Sequence, residues 1–171
     1  LVDKEKVEIS NLNRQIIHWT TDIGREKTSS ALEKLSNLNP EVEIEVLNLE
    51  VNEVNVHKVV EGSDVVLDAL DNWRTRFILN AECVRARIPF IHAGVREFQG
   101  QGFVVKPGEG ACLRCLFLKS PREEKEIPVV GAVVALISMI QVIETLKIIT
   151  GRLKPLTSTL LFYDARVQNI E

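Results

Sequence analysis

The sequence predicts an α/β fold: a Rossmann-like, doubly wound, mainly parallel sheet with added antiparallel strands. Three observations carry this expectation. Through the first 93 residues, apolar runs of strand length alternate with helical periodicity, a pattern that implies parallel strands joined by right-handed crossovers. The run Asp64-Val65-Val66-Leu67-Asp68 is continuously apolar between acids, as in a strand buried on both faces of a parallel sheet. The second half mixes short strands with loops and one long apolar helix, which suits added antiparallel strands.

The elements follow in chain order. Leu1-Val2-Asp3 reads as a strand end and residues 4–20 as a polar loop. Thr21 and Asp22 are candidate caps for a helix running to Leu38, with Ala31, Leu32, Leu35 and Leu38 as its apolar stripe and Asn39-Pro40 as its stop. Val42, Ile44 and Val46 alternate with Glu43 and Glu45, which predicts a strand with one wet face. A short helix is expected over 54–61, ending at Gly62, and a longer one over 72–87. Residues 89–93 read as a strand, 95–105 as a β segment loosened by Gly100 and Gly102, and 107–121 as a loop with a cysteine pair. Residues 133–150 form the apolar helix, stopped by Gly151. Residues 160–164 are the last strand.

Composition narrows the function. The 171 residues suit one domain spanning 1–171. Hydrophobic residues make up 45% and charged residues 26%, so disorder is excluded as the main state. The 21 basic and 24 acidic residues are interleaved, with no basic block of the kind a nucleic-acid scaffold needs. Three cysteines make no disulfide framework and point to a reducing, cytoplasmic setting. The opening Leu1-Val2-Asp3-Lys4-Glu5 is charged at once and is no signal peptide. It also lacks an initiator Met, so the chain is expected to be a fragment. Residues 127–143 carry no charge, near the lower limit for a membrane span. Pro128, Gly131, Ser138 and Gln141 interrupt that stretch, and Glu144 and Lys147 continue its helical pattern, so a buried core helix is the preferred reading and no membrane partner is expected.

Three constellations carry chemistry. Asp3, at a strand end, stands where an acid holds ribose hydroxyls in doubly wound folds; a solvated turn is the bland alternative. Ser10-Asn11-Leu12-Asn13-Arg14-Gln15, followed by Lys27, combines amides with a guanidinium and an ammonium and suits polyphosphate; singly, each residue suits a polar loop or an exposed helical lysine. Asp68 and Asp71 follow the buried strand, where ligands of open α/β sheets bind. Asp71 suits Mg²⁺ on nucleotide phosphates, and equally a helix N-cap. Cys112-Leu113-Arg114-Cys115 supplies two thiolates, half of a zinc site.

The strings Val2-Asp3-Lys4-Glu5-Lys6-Val7-Glu8-Ile9-Ser10-Asn11-Leu12-Asn13-Arg14-Gln15 and Leu67-Asp68-Ala69-Leu70-Asp71-Asn72-Trp73-Arg74-Thr75-Arg76 resemble the ThiF/MoeB/HesA family, prokaryotic relatives of ubiquitin-activating E1 enzymes. Lys27, Cys112, Cys115, Gln141, Glu144 and Lys147 extend the likeness. The resemblance implies ATP- and Mg²⁺-dependent adenylation of the Gly-Gly carboxylate of a ubiquitin-like or sulfur-carrier protein, in a homodimer, with Zn²⁺ as a further expected metal. It implies that Asp3 holds ribose, that Asn11, Arg14, Gln15 and Lys27 hold phosphates, that Asp71 holds the metal and that Asn72 belongs to the nucleotide site. It also places the family's glycine-rich loop, and the βαβ portion around it, upstream of Leu1. The family's second cysteine pair is absent, and residues 116–134 lack the cysteine several members use for thioester or persulfide transfer. Cys83 reads as a small buried hydrophobe. The rival readings are a dehydratase-like relative acting on a modified tRNA base, an NAD-dependent oxidoreductase sharing Asp3, and a non-catalytic partner-binding or dimerisation module.

Overall fold

The structure is a computed structural model that describes residues 1–122 and 127–170. It comprises two compact units, Leu1–Val51 and Asn52–Glu171.

In the first unit, the Asp3 N–H donates to the Leu47 carbonyl at 3.2 Å and the Leu47 N–H donates to the Leu1 carbonyl at 2.8 Å. These bonds make one parallel bridge, Val2↔Leu47. The strand expected over 42–46 does not form. Its burial still alternates, with Ile44 and Val46 half-buried and Glu43 and Glu45 exposed. Alternation sets the faces, but a strand is defined by ladder bonds along its length, and among the described residues the bridge here is Val2↔Leu47.

Helix α1 spans Lys27–Leu38, with Glu26 at the cap position expected of Thr21 or Asp22. Thr20–Asp22 instead makes a separate 3₁₀ turn, and Gly24 turns the chain at φ 89°. Asp22 is buried, and its side chain closes that 3₁₀ turn rather than opening α1. It accepts the Trp19 N–H at 2.7 Å and pairs with Lys34 at 2.6 Å and Arg25 at 2.8 Å. Its carboxyl therefore lies below the usual 3.8, at about 2, held there first by the Lys34 hydrogen bond and then by the Trp19 N–H. The buried face of α1 is polar, with Lys27, Thr28 and Ser30 beside Ala31, while Leu38 is exposed.

In the second unit, α2 spans Val56–Val60 and α3 spans Trp73–Ala86. A five-stranded mixed sheet takes the order β1-β2-β3-β4-β5, with β1 Val66–Leu67, β2 Phe90–Arg96, β3 Gln99–Val105, β4 Leu160–Asp164 and β5 Asn169–Ile170. The β1–β2 pair is parallel and the later pairs antiparallel. The segment expected over 95–105 is thus a hairpin turning at Glu97-Phe98, with Glu97 at φ 51°. Helix α4, Leu113–Leu116, lies in the cysteine loop. The short β1 lies at the sheet's edge, and Leu67 is 42% exposed, so the expected burial on both faces does not hold.

Helix α5, Gly131–Thr150, lies against β2 and β3. The expectation of a buried core helix needs correction. Val133, Ile137, Gln141 and Glu144 form one buried stripe, while Leu136, Met139, Ile143 and Leu146 are exposed. By length and composition the helix could cross a membrane. However, its inner stripe is tied to the protein by polar bonds. Gln141 Nε2 donates to the carbonyls of Asp68 (2.9 Å) and Ile91 (3.0 Å), and Glu144 accepts the Leu156 N–H at 2.8 Å. Gly100 lets α5 approach β3: a Cβ there would stand 2.4 Å from Ile137 Cγ1.

Two predictions follow from this packing. Gly100→Ala overpacks the α5–β3 contact and costs about 1–3 kcal/mol in denaturant unfolding; an unchanged midpoint would contradict the close approach. Asp22 has a depressed carboxyl, so its stabilisation is full above about pH 4 and fades as pH falls towards about 2. Asp22→Asn is expected to be less stable at neutral pH and to lose part of the acid sensitivity in that window. Parallel stability–pH curves for the two proteins would refute the ion-pair account.

Candidate functional site

The first unit brings Asp3 and Lys27 together. Lys27 opens α1, where the helix dipole disfavours a cation, and its side chain is only 8% exposed. Two carboxylates hold it there: Glu5 Oε2 at 2.6 Å and Asp3 Oδ2 at 3.8 Å. Lys27 is therefore not the exposed helical lysine of the bland reading, and Glu5 is a partner that spacing did not reveal. Asp3 Oδ1 also accepts the Glu5 N–H at 2.8 Å, fixing the loop after the strand end.

Asn11, Arg14 and Gln15 share one turn. The Arg14 and Gln15 N–H groups both donate to the Asn11 carbonyl, at 3.1 and 2.9 Å. Asn11 is buried, and its Oδ1 accepts the Glu8 N–H at 2.9 Å, which closes the 3₁₀ turn Ile9–Asn11. Its amide oxygen is thus committed to the turn. Arg14 is half-buried, and its Nη1 donates to the Ser10 carbonyl and to Asn13 Oδ1, both at 2.9 Å, so the guanidinium is held in place by its own loop. Gln15 Oε1 is buried without a hydrogen-bond partner, a state that costs about 1–3 kcal/mol. As an acceptor, that oxygen suits a donor such as a ligand hydroxyl, and it is the Gln15 amide N–H that can meet a phosphate oxygen.

The second unit separates two readings of Asp71. Asn72, not Asp71, caps α3: its Oδ1 accepts the Thr75 N–H at 2.9 Å. Asn72, expected in the nucleotide site, thus has its amide oxygen committed to the helix. Asp71 is exposed, and among the described residues its Oδ1 meets only Asn72 Nδ2, at a long 3.5 Å. A carboxylate without a structural task suits Mg²⁺, which is commonly held by one or two carboxylates plus substrate phosphates. Among the described residues no three or more His, Cys, Asp or Glu cluster as for a metal held by protein alone.

Cys112 and Cys115 place their sulfurs 3.7 Å apart. Two thiolates about 2.3 Å from a tetrahedral zinc stand about 3.8 Å apart, so the pair fits two corners of such a site. Burial alone would raise the Cys112 thiol; hydrogen bonds from the Cys115 and Arg114 N–H groups, the Cys115 thiol and Asn80 together hold it below its usual value. Buried Asn80 also accepts the Leu113 N–H at 3.1 Å and so anchors the loop. Arg114 stacks over the Phe77 ring at 3.9 Å. Cys83 is fully buried, and burial pushes its thiol up to about 12, in keeping with a packing residue.

A buried cluster escaped the sequence reading. Asp68, fully buried, accepts the Leu70 N–H on Oδ1 at 2.9 Å. Its Oδ2 stands 2.7 Å from His92 Nδ1 and 2.6 Å from Arg76 Nε. Arg76 Nη2 donates to the Leu70 carbonyl and, at 3.1 Å, to the Ala93 carbonyl. Gln101 Nε2 lies 3.2 Å from His92 Nε2. An amide donor there and a carboxylate at Nδ1 together select the neutral tautomer with its proton on Nδ1. Burial, aided by Arg76, holds His92 below the ordinary histidine value against the upward pull of Asp68. Trp73 covers the group, 5.7 Å from the His92 ring and 4.7 Å from the Arg76 guanidinium. It is a packing residue, whereas Trp19 is 61% exposed beneath Lys34.

Comparison with known proteins matches the ThiF family over residues 1–171. The SAMP-activating enzyme E1 of Haloferax volcanii is 40% identical over all of this chain, which spans 65% of that protein. The sulfur carrier protein adenylyltransferase of Thermus thermophilus is 35% identical over 96% of the chain, again 65% of the relative. Among solved structures, the microcin C7 biosynthetic enzyme MccB in complex with N-formylated MccA superposes with a TM-score of 0.90 at 20% identity, covering 99% of this chain and 55% of that one. That likeness carries the fold: α/β, with a mixed sheet. The chain therefore belongs to the ThiF family.

Proposed function

We propose that the chain adenylates the C-terminal Gly-Gly carboxylate of a small ubiquitin-like or sulfur-carrier protein, using ATP and Mg²⁺. A carboxylate oxygen of the partner attacks the α-phosphorus. The bond from that phosphorus to the bridging oxygen breaks, and pyrophosphate leaves with the bond's electron pair. The product is an acyl-adenylate, and no nucleophile of this chain is consumed. Negative charge grows on the phosphate oxygens in the transition state, and fixed cations stabilise it. The single observation that carries the reading is Asp71, an exposed carboxylate relieved of capping by Asn72. The names of the two relatives, one SAMP-activating and one acting on a sulfur carrier, support the partner class.

In this reading Asp3 holds ribose, Asn11, Arg14, Gln15 and Lys27 meet phosphates, and Asp71 takes Mg²⁺, whose positive charge would offset charge on the phosphate oxygens. Lys27 is balanced by Glu5 and Asp3, so a phosphate reaching it competes with two carboxylates. Cys112 and Cys115 supply half of a zinc site. Both units are assigned to one adenylating domain, since the family match runs through both. The homodimer is assigned to the outer face of α5, where exposed Leu136, Met139, Ile143 and Leu146 repeat at alternating three- and four-residue steps, the spacing of a helix–helix seam.

ATP–pyrophosphate exchange with a Gly-Gly-ended carrier tests the reading. Asp71→Ala abolishes Mg²⁺-dependent exchange with the unfolding midpoint unchanged; retained exchange would remove Asp71 from its role. Arg14→Ala lowers kcat/KM for ATP by about 10- to 100-fold, the loss of a charged hydrogen bond, with carrier affinity nearly intact; equal losses would make Arg14 structural. Ile143→Glu on the outer face of α5 converts a dimer to a folded monomer in sedimentation. A wild-type chain that sediments as a monomer would refute the assignment.

A further inference from the structure

We propose that Asp68, Arg76 and His92 are positioning residues, which lock the turn 68–72 so that the Asp71 carboxylate meets a divalent cation preorganised. The proposal rests on the metal role given above to Asp71. Among the described residues the Asp71 carboxylate has only the long Asn72 contact, so its place is set by its backbone. That backbone is fixed from both sides. The Leu70 N–H is held by Asp68 Oδ1 at 2.9 Å, and the Leu70 carbonyl is held by Arg76 Nη2. On the far side, the Asn72 cap ties the chain to the first turn of α3 at 2.9 Å. Asp71 thus sits between two clamped residues.

The clamp depends on groups remote from the turn. Asp68 Oδ2 is held by His92 Nδ1 at 2.7 Å and by Arg76 Nε at 2.6 Å. The Asp68 and His92 side chains are 0% exposed and that of Arg76 is 6% exposed. His92 comes from β2 and is oriented in turn by Gln101 from β3 at 3.2 Å. Without the His92 donor, Asp68 keeps only Arg76 on Oδ2, and the pair can swing away from Leu70. Groups that orient a metal ligand alter metal affinity by about 10- to 100-fold when removed, and Asp68, Arg76 and His92 orient Asp71 through the Leu70 backbone.

The test is Mn²⁺ binding by the 171-residue chain with a non-hydrolysable ATP analogue, read from water proton relaxation. Asp71→Ala, which removes the ligand, sets the level of complete loss. His92→Phe keeps the ring and deletes the donor, and is expected to weaken Mn²⁺ binding about 10- to 100-fold. His92→Asn places an amide N–H where Nδ1 stood, and is expected to return affinity to within about threefold of wild type, since it restores the hydrogen bond to Asp68. Should His92→Phe fail to fold, Arg76→Lys keeps the cation beside Asp68, loses the reach to the Leu70 carbonyl, and is expected to weaken binding in the same way. Wild-type Mn²⁺ affinity in folded His92→Phe or Arg76→Lys, with affinity lost in Asp71→Ala, would overturn the positioning role alone. His92→Asn as weak as His92→Phe would overturn it too. Unchanged affinity in Asp71→Ala would overturn the metal reading itself, and the positioning role with it.

Discussion

The second unit depends on one buried carboxylate. Strand β1 has two residues, too few to hold itself by ladder bonds. Asp68, next in the chain, takes over. Its N–H continues the pairing to the Ile91 carbonyl at 3.0 Å, its carbonyl accepts from Gln141 on α5, and its carboxylate gathers His92 from β2 and Arg76 from α3. Four elements therefore meet at one residue. Burying a charge is costly unless it is paired and hydrogen-bonded, and removing one partner of such a pair costs about 3–5 kcal/mol. The carboxylate here is neutralised by a guanidinium and bonded on both oxygens, so the strand end, and the turn that follows, has one available geometry.

Helix α5 shows how one apolar sequence can serve two faces. Its inner stripe mixes Val133 and Ile137 with Gln141 and Glu144, and the polar pair makes specific bonds to the sheet carbonyls and to the Leu156 N–H. Apolar contact gives the helix its adhesion, and the polar bonds fix its register. Gly100 sets its distance from β3. On the outer face, among the described residues, Leu136, Met139, Ile143 and Leu146 are exposed and apolar.

Much of this fold was legible in the sequence. The β4 bounds agree with the reading, α3 departs by one residue at each end, and Gly62 and Gly151 stop their helices with positive φ. These are local signals: apolar runs, caps and left-handed glycines. The failures are tertiary. Residues 42–46 alternate like a strand but lack a ladder, and Asp22 resembles a helix cap but is drawn into ion pairs with Lys34 and Arg25. At the candidate site, the identity of the residues was legible and their surroundings were not. Asp71 and Asn72 are adjacent and both suit an N-cap, and only geometry shows which one caps. His92 stands in no motif, and histidines scattered along a sequence signal nothing; its partner Asp68 lies 24 residues away. Glu5, which balances Lys27, lies 22 residues from it and carried no motif of its own.

The central claim is that this chain forms an acyl-adenylate on a partner's C-terminal glycine. It is tested most directly by intact-mass measurement of a Gly-Gly-ended carrier after incubation with the chain, ATP and Mg²⁺. The account predicts a carrier heavier by one AMP, labile to hydroxylamine, and absent when the terminal glycine is removed. An unmodified carrier, recovered from a complex that nonetheless forms, would contradict it and leave a partner-binding protein without the chemistry.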